Sequence, residues 1–230
     1  MKNMIRISGA ILLIFMINSC KKNDDNSIKD VDGNVYTSVT IGTQVWMKEN
    51  LKTTKYRNGD LIGTTSPETL DISLESTYKY QWAYNGDESN VNTYGRLYNC
   101  YAVTDTRNVC PVGWHVPTDA EWTTLTTYLG GESVAGGKLK EAGFTHWQSP
   151  NEGASNSSGF TAFPSGFRDG NGTYGYIGYI ANWWSSSELW RQPMFTIDYF
   201  ELVYYDYSFV PSYIEENKQI GFSVRCLLDN

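Results

Sequence analysis

The sequence predicts an α+β domain with two helices in its first half and small antiparallel sheets joined by long irregular loops in its second. Three observations carry that expectation. A capped amphipathic helix opens at Thr118, short runs of β-formers flank Gly42, and after Gly143 the chain turns to Gly, Tyr, Trp, Ser and Thr with no further helical stripe.

Taken in order, Asn34 to Thr40 mixes Val35, Tyr36 and Val39 with Ser38 and Thr40. Ile41-Gly42-Thr43-Gln44 supplies a turn, and Val45-Trp46-Met47 resumes the apolar run, which together read as a β-hairpin. Gly59-Asp60 and the Ser/Thr/Pro stretch around Pro67 mark a loop, and Asn85 to Asn92 a second polar loop. Gly95 to Val103 reads as a strand, or a strand entering a loop. Pro117 then precedes Thr118-Asp119-Ala120-Glu121, a capping box with Thr at the N-cap and Glu at N3. Trp122, Leu125 and Leu129 recur at three- and four-residue spacing and give one buried stripe, and Gly130-Gly131 stops it. A second helix is expected over Ser133 to Glu141, weakened by Gly136-Gly137 and ended by Gly143. Gly221 to Leu228 is expected to close the domain as a terminal strand. No fixed-period repeat is present.

The amino terminus reads as an address. Lys2 and Arg6 precede an apolar stretch from Ile7 to Ile17, relieved only by Ser8 and Gly9. A span across hydrocarbon needs roughly 20 apolar residues, so this shorter run is the core of a signal peptide, residues 1–19. Ile17-Asn18-Ser19-Cys20 resembles a lipobox, in which the small residue lets signal peptidase II cut before Cys20 and the Cys20 thiol carries lipid. Lys21-Lys22-Asn23-Asp24-Asp25-Asn26-Ser27 has nothing to bury and cannot offset its ordering entropy, so residues 20–32 are expected to form a disordered tether. A Lys followed by acids just after the lipidated Cys resembles the surface-export signal of Bacteroidota lipoproteins. The expected location is the outer membrane, lipid-anchored and exposed at the cell surface, with the lipid as the sole membrane contact.

Residues 33–230 fit one domain with a substantial core. Net charge is −7 and the pI about 4.9, with no basic patch, which argues against nucleic acid as a partner. Apart from Cys20 there are Cys100, Cys110 and Cys226; in an oxidising compartment two can pair and one is left over.

Six ordered stretches then converge on one family. They are Val39 to Met47 with Glu49-Asn50-Leu51, Tyr94-Gly95-Arg96-Leu97-Tyr98-Asn99, Cys110 to Trp122, Phe163-Pro164-Ser165-Gly166-Phe167-Arg168, Trp183-Trp184-Ser185-Ser186-Ser187-Glu188, and Gly221-Phe222-Ser223-Val224-Arg225-Cys226. From about Gly33 to Asp229 the chain resembles the Fibrobacter succinogenes major paralogous domain, common in surface proteins of Bacteroidota and Fibrobacterota. The family brings no established biochemical activity. Its helix start, Gly-Phe-Arg, Trp-Trp-Ser-Ser and Val-Arg-Cys look like the C-type-lectin-like fold of sulfatase-modifying-factor relatives, whose irregular second half faces ligand. The resemblance implies a Cys110–Cys226 disulfide rather than Cys100–Cys110, tying the helix entry to the last strand and leaving Cys100 as a buried thiol.

Catalytic chemistry finds little support. His115, entering the helix, reads as a hydrogen-bonded structural residue, and His146 beside Trp147 as a surface one. HExxH, CxxC and EF-hand spacings are absent, so no metal or cofactor is expected. Gln192-Pro193-Met194 has the Gln-Pro of calcium-dependent lectins but not the oxygen ligand that follows, and Asn182-Trp183-Trp184 only reverses their Trp-Asn-Asp. There is no G-x-S-x-G, and Ser185 to Ser187 have no His nearby in sequence. The formylglycine-generating relatives use cysteines in their C-terminal half, where this chain has only Cys226, at a position that matches a structural one. Asp198, Glu201, Asp206, Glu215 and Glu216 keep a paired-carboxylate, glycan-active enzyme open as the alternative.

The strongest functional signal is aromatic density between Tyr174 and Tyr213. Trp183, Trp184 and about half of the other rings should be core; a core of this size does not readily bury the rest while pairing every phenolic OH. The segment from Trp190 to Tyr213, bracketed by Pro193 and Pro211, is expected to form irregular loops presenting Trp190, Tyr199, Tyr204, Tyr205 and Tyr207 to a ligand. Strand alternation is the rival, with Phe195, Ile197 and Tyr199 turned inward. The expected function is a non-catalytic recognition module binding a glycan or surface protein. A structural surface protein without a ligand is the third possibility.

Overall fold

The computed structural model describes residues 27–191, 194–202 and 217–229, with residues 188–191 and 194–202 described by their backbone alone. Cys20, the signal segment 1–19 and most of the tether lie outside them.

β1 (Ile28–Lys29) pairs with β2 (Val35–Tyr36) in a small antiparallel sheet. β3 (Ser38–Ile41) and β4 (Gln44–Met47) form the expected hairpin, with Ile41 opposite Gln44. Gly42 takes the turn at φ +62°, where a side chain would collide with the Tyr128 ring. β5 (Gln81–Trp82) follows the long loop. The expected polar loop from Asn85 to Asn92 proves to be wound. Two 3-10 turns lead into α1 (Val91–Tyr94), and the Asp87 carboxylate accepts from the Ser89 amide. The Gly95 to Val103 stretch is a strand for only three residues, β6 (Leu97–Asn99). It then coils into the single turn α2 (Cys100–Val103), because the Asn99 side chain caps the Ala102 amide.

β7 (Trp114–His115) precedes α3 (Asp119–Tyr128). Both halves of the capping box form: the Thr118 hydroxyl accepts from the Glu121 amide at 3.3 Å, and the Glu121 carboxylate from the Thr118 amide at 2.7 Å. Trp122, Leu125 and Leu129 are buried. α4 (Glu132–Leu139) starts directly after Gly131. Its two glycines cost the helix roughly 1 kcal/mol each in propensity. In return, the Gly153 carbonyl lies where a Gly137 side chain would stand.

β8 (Ser165–Arg168) and β9 (Tyr174–Ile177) pair antiparallel. The second half is then less irregular than expected. β10 (Ala181–Arg191) and β11 (Met194–Leu202) form a long antiparallel hairpin whose register shifts between Trp184 and Glu188. Trp190 and Tyr199 therefore sit in regular strands and not in loops, consistent with the β-forming alternation of Phe195, Ile197 and Tyr199. The expected terminal strand divides into β12 (Gly221–Phe222) and β13 (Leu227–Leu228), which join different sheets.

The larger sheet runs β11-β10-β8-β12-β6-β5, with β9 on β8; the smaller runs β3-β4-β13-β7. Pairing is antiparallel except between β10 and β8. Adjacent strand residues point to opposite faces, and the Trp pair uses this. Trp183 packs with Trp46, Trp122, Leu125 and Phe160 beneath α3, while Trp184 packs with Tyr98, Phe222 and the cysteines. Cys110 and Cys226 are disulfide-bonded across 116 residues, and Cys100 is buried in the same cluster. Among the described residues no helix is long and apolar enough to cross a membrane.

Candidate functional site

The six sequence motifs meet in one buried network centred on Asn50, which is 1% exposed. Its Oδ1 accepts from Trp183 Nε1 at 2.8 Å and from Arg225 Nε and Nη2 at 3.1 and 2.7 Å. Its Nδ2 donates to the Tyr94 carbonyl at 2.8 Å and to Ser223 Oγ at 3.3 Å, and Ser223 Oγ donates to Ser165 Oγ. Arg225 also donates to the Phe160 carbonyl and lies over the Phe160 ring at 4.3 Å. Burial lowers the Arg225 pKa to about 9, against a weaker raising effect of the Glu49 carboxylate, so the group stays charged at neutral pH. The remaining motif joins through the Trp122 ring, 6.1 Å from Trp183, and through the Cys110–Cys226 bond.

Other motif residues are committed in the same way. Arg168 is fully buried; it donates to the Glu68, Leu70 and Asp169 carbonyls and stacks over Trp82 at 4.3 Å. Arg96 reaches the Lys52 carbonyl, Gln81 and the Glu88 carboxylate. His115 is held between Asp229 at 2.7 Å and Glu121 at 3.0 Å, the structural role its position suggested. His146 departs from the surface reading. Its Nδ1 meets the Glu141 carboxylate at 2.8 Å, and its ring packs edge-on against Phe163 at 4.9 Å.

The residues expected to bind ligand are only partly placed. Trp190 and Tyr199 lie in the β10–β11 hairpin, with β11 at the edge of the larger sheet. Tyr204, Tyr205 and Tyr207 lie outside the described residues, as does Asp206. Nearby, Tyr176 is exposed and stacks on Phe167 at 5.6 Å, and Trp183 and Trp184 are buried as expected.

Two further features lie beside the buried network. The first is a cleft of about 440 Å³ between the segment entering β1 and the disulfide loop, its walls including Lys29, Asp30, Lys55, Arg57 and Val112. Its polar groups are largely engaged. Arg57 donates to the Cys110, Pro111 and Trp114 carbonyls, and the Asp30 carboxylate accepts from Tyr36 Oη at 2.6 Å and from Asn34. At its rim Lys55 pairs with Asp32 at 2.9 Å. Burial acts to raise the Asp32 pKa, but hydrogen bonds from Thr54, Lys55 and Thr53 outweigh it and bring the value down to about 2.

The second feature is an aromatic ladder. Tyr78 stacks on Tyr80, with centroids 6.0 Å apart and planes 11° apart, and Tyr80 leans on Trp82 at 5.6 Å. Its signal in the sequence is spacing rather than aromatic density: the period-two pattern Tyr78-Lys79-Tyr80-Gln81-Trp82. Among the described residues no group of three or more His, Cys, Asp or Glu is placed to hold a metal ion.

These features define an α+β domain closed by a long-range disulfide and built around one buried polar network. Residues 39–227 match the family model of the Fibrobacter succinogenes major domain, and the chain belongs to that family. No curated protein and no solved structure matches it.

Proposed function

We propose that the protein is a non-catalytic recognition module of C-type-lectin-like fold, anchored in the outer membrane through lipid on Cys20 and exposed at the cell surface. In this reading aromatic side chains outside the motif network bind a glycan or a surface protein. One observation carries it: the motif residues best equipped for chemistry, Arg96, Arg168, Arg225 and His115, are engaged by internal partners. Ligand contact then falls to the segments outside the motifs, where Tyr is concentrated. Rigid amphipathic rings give large contact area at low entropic cost.

The test is a glycan array and a bacterial-surface pull-down with the mature chain carrying Cys20→Ser. Retention of a glycan set or of a defined surface protein is expected. If neither is retained, the protein is a structural surface component. The anchor is checked separately. Cys20→Ala should leave an unprocessed precursor or move the protein out of the membrane fraction, and unchanged partitioning and mass would remove the lipid from the account.

A further inference from the structure

We infer that the outer face of Tyr78 is a binding platform for the apolar face of a sugar ring. The inference rests on the recognition reading above and gives it a location away from the β10–β11 segment.

The ladder is graded from inside to outside. Trp82 is 1% exposed and has the buried Arg168 guanidinium over its ring; Tyr80 is half-buried; Tyr78 is 61% exposed. The stack thus ends in solvent with a ring already held in place. Three constraints fix the backbone that carries it and the Tyr80 ring on which it stacks. The Asn99 side chain, itself buried, donates to the Tyr78 carbonyl at 2.8 Å and accepts from the Tyr80 amide at 3.0 Å. Thr77 sits at φ +79°, a left-handed conformation that a β-branched residue adopts only when its surroundings impose it. Tyr80 Oη donates to Glu75 Oε2 at 2.9 Å, and the Glu75 carbonyl accepts from Gln219.

The chemistry of the platform matches a saccharide. The face of an aromatic ring carries negative quadrupole and attracts the weakly positive C–H face of a pyranose. Glu75 directs a carboxylate oxygen to the Tyr80 hydroxyl and so fixes the ring on which Tyr78 stacks. Burial and the Glu75 hydrogen bond push the Tyr80 pKa up to about 12, so Tyr80 remains a neutral donor holding Glu75 in place. Ordering cost is small because the Tyr78 backbone and the ring beneath it are already set.

The test is affinity electrophoresis of the mature Cys20→Ser chain in native gels cast with soluble β-glucan, xylan, mannan or pectin. At least one polysaccharide should retard it. Tyr78→Ala should weaken that retardation about tenfold or more, the scale of one lost stacking contact, and Tyr78→Trp should keep it. Both variants should melt with the parent, because the ring is exposed. Equal retardation of Tyr78→Ala overturns the platform and leaves the recognition reading intact. If no gel retards the parent, the sugar assignment fails; capture of a surface protein by the same chain would then show that recognition survives without it.

Discussion

Arg225 and Arg168 are both fully buried guanidiniums lying over aromatic rings, yet their surroundings differ in one respect. The stack around Arg225 closes on itself: Phe160, Trp183, Trp122 and Trp46 touch one another and are all buried. The stack that starts at Arg168 runs outward through Trp82 and Tyr80 and stops at the exposed Tyr78. A closed stack offers a ligand nothing and contributes to stability alone. An open one has a face that still exchanges solvent for a partner. The same pairing of cation and ring therefore serves as scaffold in one place and as the root of a surface in the other.

Four experiments can break or sharpen that contrast. The largest effect is expected on the closed side. Replacing Cys110 and Cys226 together by Ser releases a 116-residue loop, worth about 5 kcal/mol in the chain-entropy model, and urea unfolding should show a loss of that order. Asn50→Leu comes next. It removes the acceptor shared by Trp183 and Arg225 and leaves a buried charge short of partners, at a cost of about 3 to 5 kcal/mol. A loss below about 1 kcal/mol would mean that the network is not what joins the motifs.

Acid should expose a third behaviour, at the corner where Asp32 holds Thr54 and Lys55. The Asp32 pKa is lowered in the fold, so its stabilisation is fully present above the unfolded value near 4 and is lost as pH falls toward about 2. Solvent screening at this partly exposed site limits the effect to about 1 kcal/mol, and Asp32→Asn should flatten that part of the stability profile. The smallest change is expected at Tyr78. Its replacement by Ala should alter stability by less than about 0.5 kcal/mol, and a larger loss would make the ladder another piece of scaffold.

Elements with local causes were legible in the sequence. The Thr118 capping box, the stop at Gly130-Gly131 and the turn at Gly42 each depend on residues within a few positions. The disulfide was accessible only through family resemblance, since three cysteines admit three pairings. What remained hidden depends on distant partners. Gly221 to Leu228 reads as one strand, and nothing in it reveals that its two ends pair with different sheets. Asn50 lies 175 residues from Arg225 and 133 from Trp183, so no window of sequence holds the network. His146 was read as exposed because its neighbours Phe163 and Tyr94 come from other segments. Aromatic density pointed to the β10–β11 region, whereas alternation at Tyr78, Tyr80 and Trp82 needed attention to period.

The placement of β13 bears on the order in which the molecule can be made. Leu227 sits between Trp46 and His115, and Arg225 and Cys226 close on Asn50 and Cys110. A chain emerging from a ribosome lacks all these partners until the stretch that carries β13 is out. Until then β4 and β7 have no strand between them, Asn50 has no guanidinium to receive, and Cys110 keeps its thiol. The domain is thus barred from maturing early: its smaller sheet, its buried network and its disulfide all wait for the stretch from Arg225 to Leu228.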